Sequence, residues 1–127
     1  MKYGLVLLLW FAACTEPKTD SAVSGSALDA GRGYLQACLQ GDFEKAVAYA
    51  APTQAMKLHT ANTEKNYRDL DKEGRSSFRQ ASIIIEGITD QDSLHTRMNF
   101  QYSLDKKPRQ IEIEKTNGKW LVVAVKD

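Results

Sequence analysis

Nowhere in the chain do apolar residues run for the roughly 20 positions that a bilayer-spanning helix requires. The longest run, residues 5–13, falls well short of that and turns abruptly polar at Thr15. A transmembrane helix is therefore not expected. Histidine is scarce as well. A metal centre wants at least three clustered ligands, whereas His59 and His95 are distant in sequence and share no ligand motif. No metal and no cofactor is expected. An excess of charge is also missing, with 17 Lys and Arg against 16 Asp and Glu. A nucleic-acid binder shows a clustered basic excess. The only basic cluster, Lys106-Lys107-Pro108-Arg109, falls where a hairpin turn is expected and reads as solvated, so nucleic acid is not an expected partner. No internal repeat is visible.

What is present begins with an address. Lys2 supplies a positive charge, residues 5–13 an apolar stretch, and Ala12-Ala13 the small residues of a cleavage site, which is the layout of a secretory signal. The small pair directly before Cys14 resembles a bacterial lipobox, with Phe11 standing where Leu is usual. The resemblance implies cleavage after residue 13 and acylation of Cys14, which becomes the mature N-terminus. Several acyl chains, at ~0.8 kcal/mol per buried methylene, make such an attachment stable. Thr15 follows the cysteine, and by similarity to enterobacterial sorting rules that favours the outer membrane. The expected location is the bacterial cell envelope, with the membrane as a partner through the lipid.

Residues 14–27 then form an expected linker. The stretch TEPKTDSAVSGSA has few large apolar residues and cannot order itself by burial. Its reach is about 20 Å. Removing residues 1–13 from the 127 leaves 114, one domain's worth. The mature balance is then sixteen basic against sixteen acidic, since Lys2 is lost. With Cys14 acylated only Cys38 remains, so no intramolecular disulfide forms. Its apolar neighbours make it a small buried hydrophobe, not the exposed, electropositive thiol that reactivity needs.

From residue 28 the domain starts with helical periodicity. Leu28, Leu35, Cys38 and Leu39 mark a first helix, stopped by Gly41 at the position after its C-terminus. Asp42 caps a second, with Phe43, Ala46, Val47 and Ala50 on one face, ended by Pro52. A third is predicted over 53–70, with Ala55, Met56, Leu58 and Tyr67 buried. The polar stretch 71–77, with Gly74 inside it, is expected to fray or break.

The second half switches to period two, with strands predicted over 80–88, 93–104, 109–116 and 119–125. Asn117-Gly118 is a type I′ turn dipeptide. It pairs Thr116 with Lys119, Ile113 with Val122 and Ile111 with Ala124. A four-residue turn over 105–108 pairs Leu104 with Arg109, Tyr102 with Ile111 and Phe100 with Ile113. A similar turn over 89–92 sets Ile83 opposite Met98 and Ala81 opposite Phe100. All three registers place apolar side chains on one face, and a one-residue slip would break that agreement. The inner face is Ile83, Ile85, Leu94, Met98, Phe100, Tyr102, Ile111, Ile113, Trp120, Val122 and Ala124. The architecture is α+β, with N-terminal helices packed on a curved four-stranded antiparallel sheet in a cone-like arrangement.

The stretches YLQACLQGDFEKAVAYAAP, residues 34–52, and TNGKWLVVAV, residues 116–125, resemble the nuclear transport factor 2-like (cystatin-like cone) superfamily. They are most similar to small bacterial lipoproteins with a lumazine-binding-like domain of unknown function. That superfamily includes isomerases, dehydratases, polyketide cyclases, ligand binders and pure interaction modules, so the fold alone does not settle function.

The resemblance implies that an enzyme of this kind would carry an acid or base inside the cone. A general base needs a suitable pKa and reach to the substrate. The inner sheet face has no Asp, Glu or His, and Lys115, which shares its parity, lies at the hairpin end and snorkels. No catalytic residue is assigned. His95 falls on the polar outer face, and His59, which could point into the cone mouth, reads instead as a partly buried structural histidine. Tyr49, His59, Tyr67, Tyr102 and Trp120 are the candidate lining of an apolar pocket with polar tips. A domain of this size favours a filled core instead. On the outer face Ile84, Ile88, Leu121, Val123 and Val125 form apolar edges beside a polar middle, a candidate surface for a homodimer or an envelope protein partner. The leading expectation is a small binding or protein-interaction module. The alternative is an isomerase- or cyclase-like enzyme, or a small-ligand binder, using the cone.

Overall fold

The computed structural model describes residues 26–127. The expected signal, Cys14 and the linker up to residue 25 lie outside the described residues. Helix α1 spans Ala27–Gln40, beginning one residue before the expected domain boundary. Ser26 caps it by accepting from the Asp29 amide, and Gly41, at φ 75°, closes it by donating to the Ala37 and Cys38 carbonyls. That left-handed conformation is the reason a glycine stands there. Helix α2, Phe43–Tyr49, starts from Asp42, whose carboxylate accepts from the Lys45 amide. Its buried side is Phe43, Ala46 and Tyr49, while Val47 is exposed. Helix α3, Gln54–Asp69, is capped by Thr53.

Two expectations fail along α3 and after it. Ala55 and Leu58 are exposed, and the stripe turned inward is Met56, His59, Thr60, Thr63 and Tyr67. This helix thus offers the sheet a largely polar face. The stretch expected to break is helix α4, Lys72–Gln80. Asp71 caps it through the Gly74 amide at 2.7 Å, and Arg75 donates back to the Leu70 carbonyl. Side-chain capping, and not apolar periodicity, makes this helix, which has no buried residue.

The four strands are β1 (Ile83–Asp92), β2 (His95–Tyr102), β3 (Arg109–Thr116) and β4 (Lys119–Lys126). They form an antiparallel meander in the order β1-β2-β3-β4. Asn117 at φ 52° and Gly118 at φ 78° make the type I′ turn, and Thr116–Lys119 and Ile113–Val122 pair as expected. Beyond Val122 a bulge adds Val123 to β4. Ile111 then faces Val125 in place of Ala124, and Val125 turns inward.

The β2–β3 register differs by four residues from expectation, with Phe100 opposite Arg109 and Met98 opposite Ile111. The connection is wider because Asp105 accepts from the Lys107 amide and clamps Arg109, while Ser103 pairs with Ser82. Ile83 likewise faces Tyr102 instead of Met98. Asp92 accepts from the Leu94 amide and holds a tight turn at Ser93-Leu94, leaving Leu94 48% exposed instead of inside. Both differences are even, so the inner face keeps its membership. The bulge at Glu86 is the exception. It brings Ile88 and Asp90 to the inner side, opposite Met98 and Thr96.

Helix α1 crosses this face and sets the geometry of the core. At Gly31 it touches Met98 and Ile113, near the β1–β2 and β3–β4 turns. Its second half, from Tyr34 to Leu39, reaches Tyr102 and the β2–β3 loop. Between them lie the buried Ala30, Leu35, Cys38, Phe100, Ile111 and Val122. The α2–α3 connection lies along β4, where the Ala51 amide donates to the Val122 carbonyl at 2.8 Å.

Candidate ligand pocket

The helices cover the sheet unevenly. At the end bearing the β2–β3 loop, α1, α3, α4 and the last residues of β4 enclose a cavity of about 270 Å³. This corrects the expectation of a filled core. His59, Tyr67 and Tyr102, three of the five residues proposed from the sequence, line it. Tyr49 does not, because its ring lies against Gly33, where even a Cβ atom would meet it at 2.4 Å. Trp120 lies at the β3–β4 hairpin, its ring 5.9 Å from the Lys115 ammonium. It packs on the core away from the cavity.

Sequence reasoning missed Tyr34, which is completely buried and organises the site. Its hydroxyl lies 2.8 Å from His59 Nδ1 and 3.0 Å from Thr60 Oγ1. Tyr34 lies on the inner stripe of α1, one turn after Ala30 and Gly31 and one turn before Cys38, which is the signal that marks it. The direction of these bonds follows from counting protons. Thr60 is buried and has no other acceptor among the described residues, so its hydroxyl donates to Tyr34. Tyr34 then donates to His59 Nδ1, a stronger acceptor than the Cys38 sulfur with which its hydroxyl also pairs. Burial pushes the His59 imidazole below its ordinary value, against the opposing charge of Asp127. The ring is therefore neutral and carries its proton on Nε2. That N–H has no partner among the described residues.

The tyrosines stay protonated. Burial raises both Tyr34 and Tyr102 above the ordinary phenol value. The Tyr102 hydroxyl has no hydrogen-bond partner among the described residues, whereas Tyr67 OH accepts from Arg79 at 2.9 Å. Tyr67 is further held between Phe43 and Phe78, with centroids 5.7 and 6.4 Å away. Cys38 is buried, as expected, and burial pushes its thiol up to about 12, so it contributes apolar surface and no thiolate.

The rim is charged but internally paired. Arg109 donates to both carboxylate oxygens of Asp105, at 2.9 and 2.7 Å, and its Nε lies 3.5 Å from Asp127. Its guanidinium stacks 4.7 Å from the centre of the Tyr102 ring. The hydrogen bonds from Arg109 hold Asp105 down at about 2. The basic cluster is therefore not wholly solvated: Arg109 closes the pocket, while Lys107 stays exposed at its edge.

Outside the cone, the proposed apolar edges do not meet. Ile84 is exposed on the outer face of β1, Leu121 and Val123 are half-buried on β4, Ile88 has changed to the inner side of the sheet but stays exposed beyond the helices, and Val125 lines the cavity. The polar middle between the two edges is largely paired, with His95 to Glu114 at 3.1 Å, Arg97 to Glu112 at 3.4 Å and Gln110 to Asn99 at 3.0 Å, while Arg97 Nε is buried without a partner among the described residues.

No family model and no curated protein matches the sequence. A solved NTF-2-like protein of unknown function from Shewanella oneidensis MR-1 superposes with a TM-score of 0.59. The likeness covers 77% of this chain and 92% of that one, at 14% sequence identity. The fold is NTF2-like. In this NTF2-like domain the cone is closed at the hairpin end by α1 and left open at the β2–β3 end, where the neutral His59 and Tyr102 face the void.

Proposed function

We propose that the chain is a lipid-anchored protein of the bacterial cell envelope whose NTF2-like domain binds a small molecule in the cone. The observation that carries the binding part is the cavity of about 270 Å³, with largely apolar walls in which His59 Nε2 and Tyr102 OH have no partner among the described residues. Few convergent polar groups in an otherwise apolar concavity is the usual composition of a small-ligand site. The anchor rests on Cys14 and the residues before it. The hydrogen-bond chain favours binding over proton abstraction. A base must offer a lone pair to the substrate, and here His59 offers a proton while both tyrosines keep theirs.

Native mass spectrometry of the protein purified from its own cells tests the binding part. A retained molecule of defined mass, lost on His59→Leu, supports it. An empty protein that also shows no thermal shift with small aromatic probes overturns it. Radiolabelled palmitate tests the anchor, since label should enter the protein and be lost in Cys14→Ser. A second reading, association with another copy or an envelope protein through the outer face, draws support from exposed Ile84 and half-buried Val123.

A further inference from the structure

We infer that the cavity selects an uncharged, compact, largely apolar ligand bearing a carbonyl-type oxygen, and discriminates against the corresponding carboxylate. The inference rests on the binding reading above and adds the ligand's chemical class. It starts from the two unsatisfied groups. His59 presents an N–H, because the Thr60–Tyr34 chain occupies Nδ1 as an acceptor. Tyr102 presents an O–H. Both line the same void, and what such donors lack is an acceptor oxygen.

The charge balance decides what kind of oxygen. An anion brought into an apolar cavity needs a partner cation there. Arg109 and Lys107 are the cations that line the void, and Arg109 is already engaged by Asp105 through two hydrogen bonds and by Asp127. Those two carboxylates oppose a third. Lys107 lies exposed at the edge, its ammonium in water. Of the other polar lining, Asn66 sits at the exposed edge, Thr63 donates to the His59 carbonyl, and Tyr67 accepts from Arg79. The walls, Leu35, Leu39, Leu70, Phe78 and Val125, receive the apolar body. At about 270 Å³ the space lies at or below the small end of ligand pockets, which fits a compact molecule.

Three naphthalenes of one shape test this on the full chain: the methyl ketone, the carboxylate and the ethyl hydrocarbon, titrated by calorimetry at neutral pH. The ketone should bind tightest. The hydrocarbon should be weaker by about 3- to 10-fold, the worth of one ordinary hydrogen bond. The carboxylate should be weaker by at least about 10-fold. Tyr102→Phe and His59→Leu should each reduce the ketone's advantage over the hydrocarbon, and two variants guard against one that fails to fold. Nitrogen NMR of His59 should show the proton on Nε2. If the carboxylate binds as well as the ketone, or if the proton is on Nδ1, the inference is overturned while the pocket stands. If none of the three binds, the binding reading falls and takes this one with it.

Discussion

The two ends of the concave sheet face are covered by one helix in opposite ways. At the hairpin end α1 lies directly on the sheet at Gly31, where an added Cβ would stand 2.9 Å from Ile113 Cδ1 and 3.1 Å from Met98 Cε. No room is left there. At the loop end the same helix presents Tyr34 and Cys38, α3 adds His59 and Thr63 instead of leucines, and the space stays open. The void is therefore not loose packing spread through the core. It is confined to the end where polar side chains replace apolar ones.

That contrast can be broken in order of expected effect. Ile113→Ala removes a fully buried side chain from the closed end and should cost about 2–5 kcal/mol, measured by chemical denaturation. Tyr34→Phe acts at the open end through hydrogen bonding alone. It leaves buried Thr60 and His59 Nδ1 without partners and should cost about 1–3 kcal/mol, with a thermal midpoint about 4–8 °C lower per kcal/mol in a domain of this size. Val125→Leu grows into the void. It should change stability by less than about 1 kcal/mol, below the range for overfilling a packed core, yet weaken binding of the naphthyl ketone. Val123→Glu, across the bulge, should leave the domain folded and change only self-association, read by sedimentation. An unchanged sedimentation coefficient would remove the outer face as an interface.

The smallest effects separate the ends by pH. His59 sits below its ordinary 6.5 in the fold, so the unfolded chain takes up the proton first. Stability should fall as pH drops below about 6.5 and level off under the folded value. His95, at the other end, is raised by its hydrogen bond to Asp92, with help from Glu114. Its contribution is complete below about 6.5 and lost as pH rises through the raised value. It is exposed and screened by salt, so its slope should be the weaker. His59→Gln and His95→Gln should each flatten only its own slope in urea midpoints collected across pH 5 to 8, the range in which histidine titrates.

The sequence made the frame readable where a turn residue does specific work. Asn117-Gly118 and Gly41-Asp42 fix a hairpin and a helix junction, and both stand where expected. The inner face survived two four-residue register differences because an even shift preserves parity. The bulge at Val123 carries no turn residue to mark it, so Val125 and Ala124 exchanged faces unannounced. Helix α4 was hidden because capping by Asp71 and Arg75 builds it, with no apolar stripe. The site was half legible: the tyrosines and His59 stand out by type, but Tyr34 meets His59 from 25 residues away. Likewise Arg109 looked like turn solvent until Asp105 folded back on it.

The first residue of α1 and the mouth of the cavity lie at opposite ends of the domain. A chain held by its N-terminus would have the length of α1 between the start of the domain and that mouth. That spacing would let molecules reach the mouth from the surrounding water by three-dimensional diffusion.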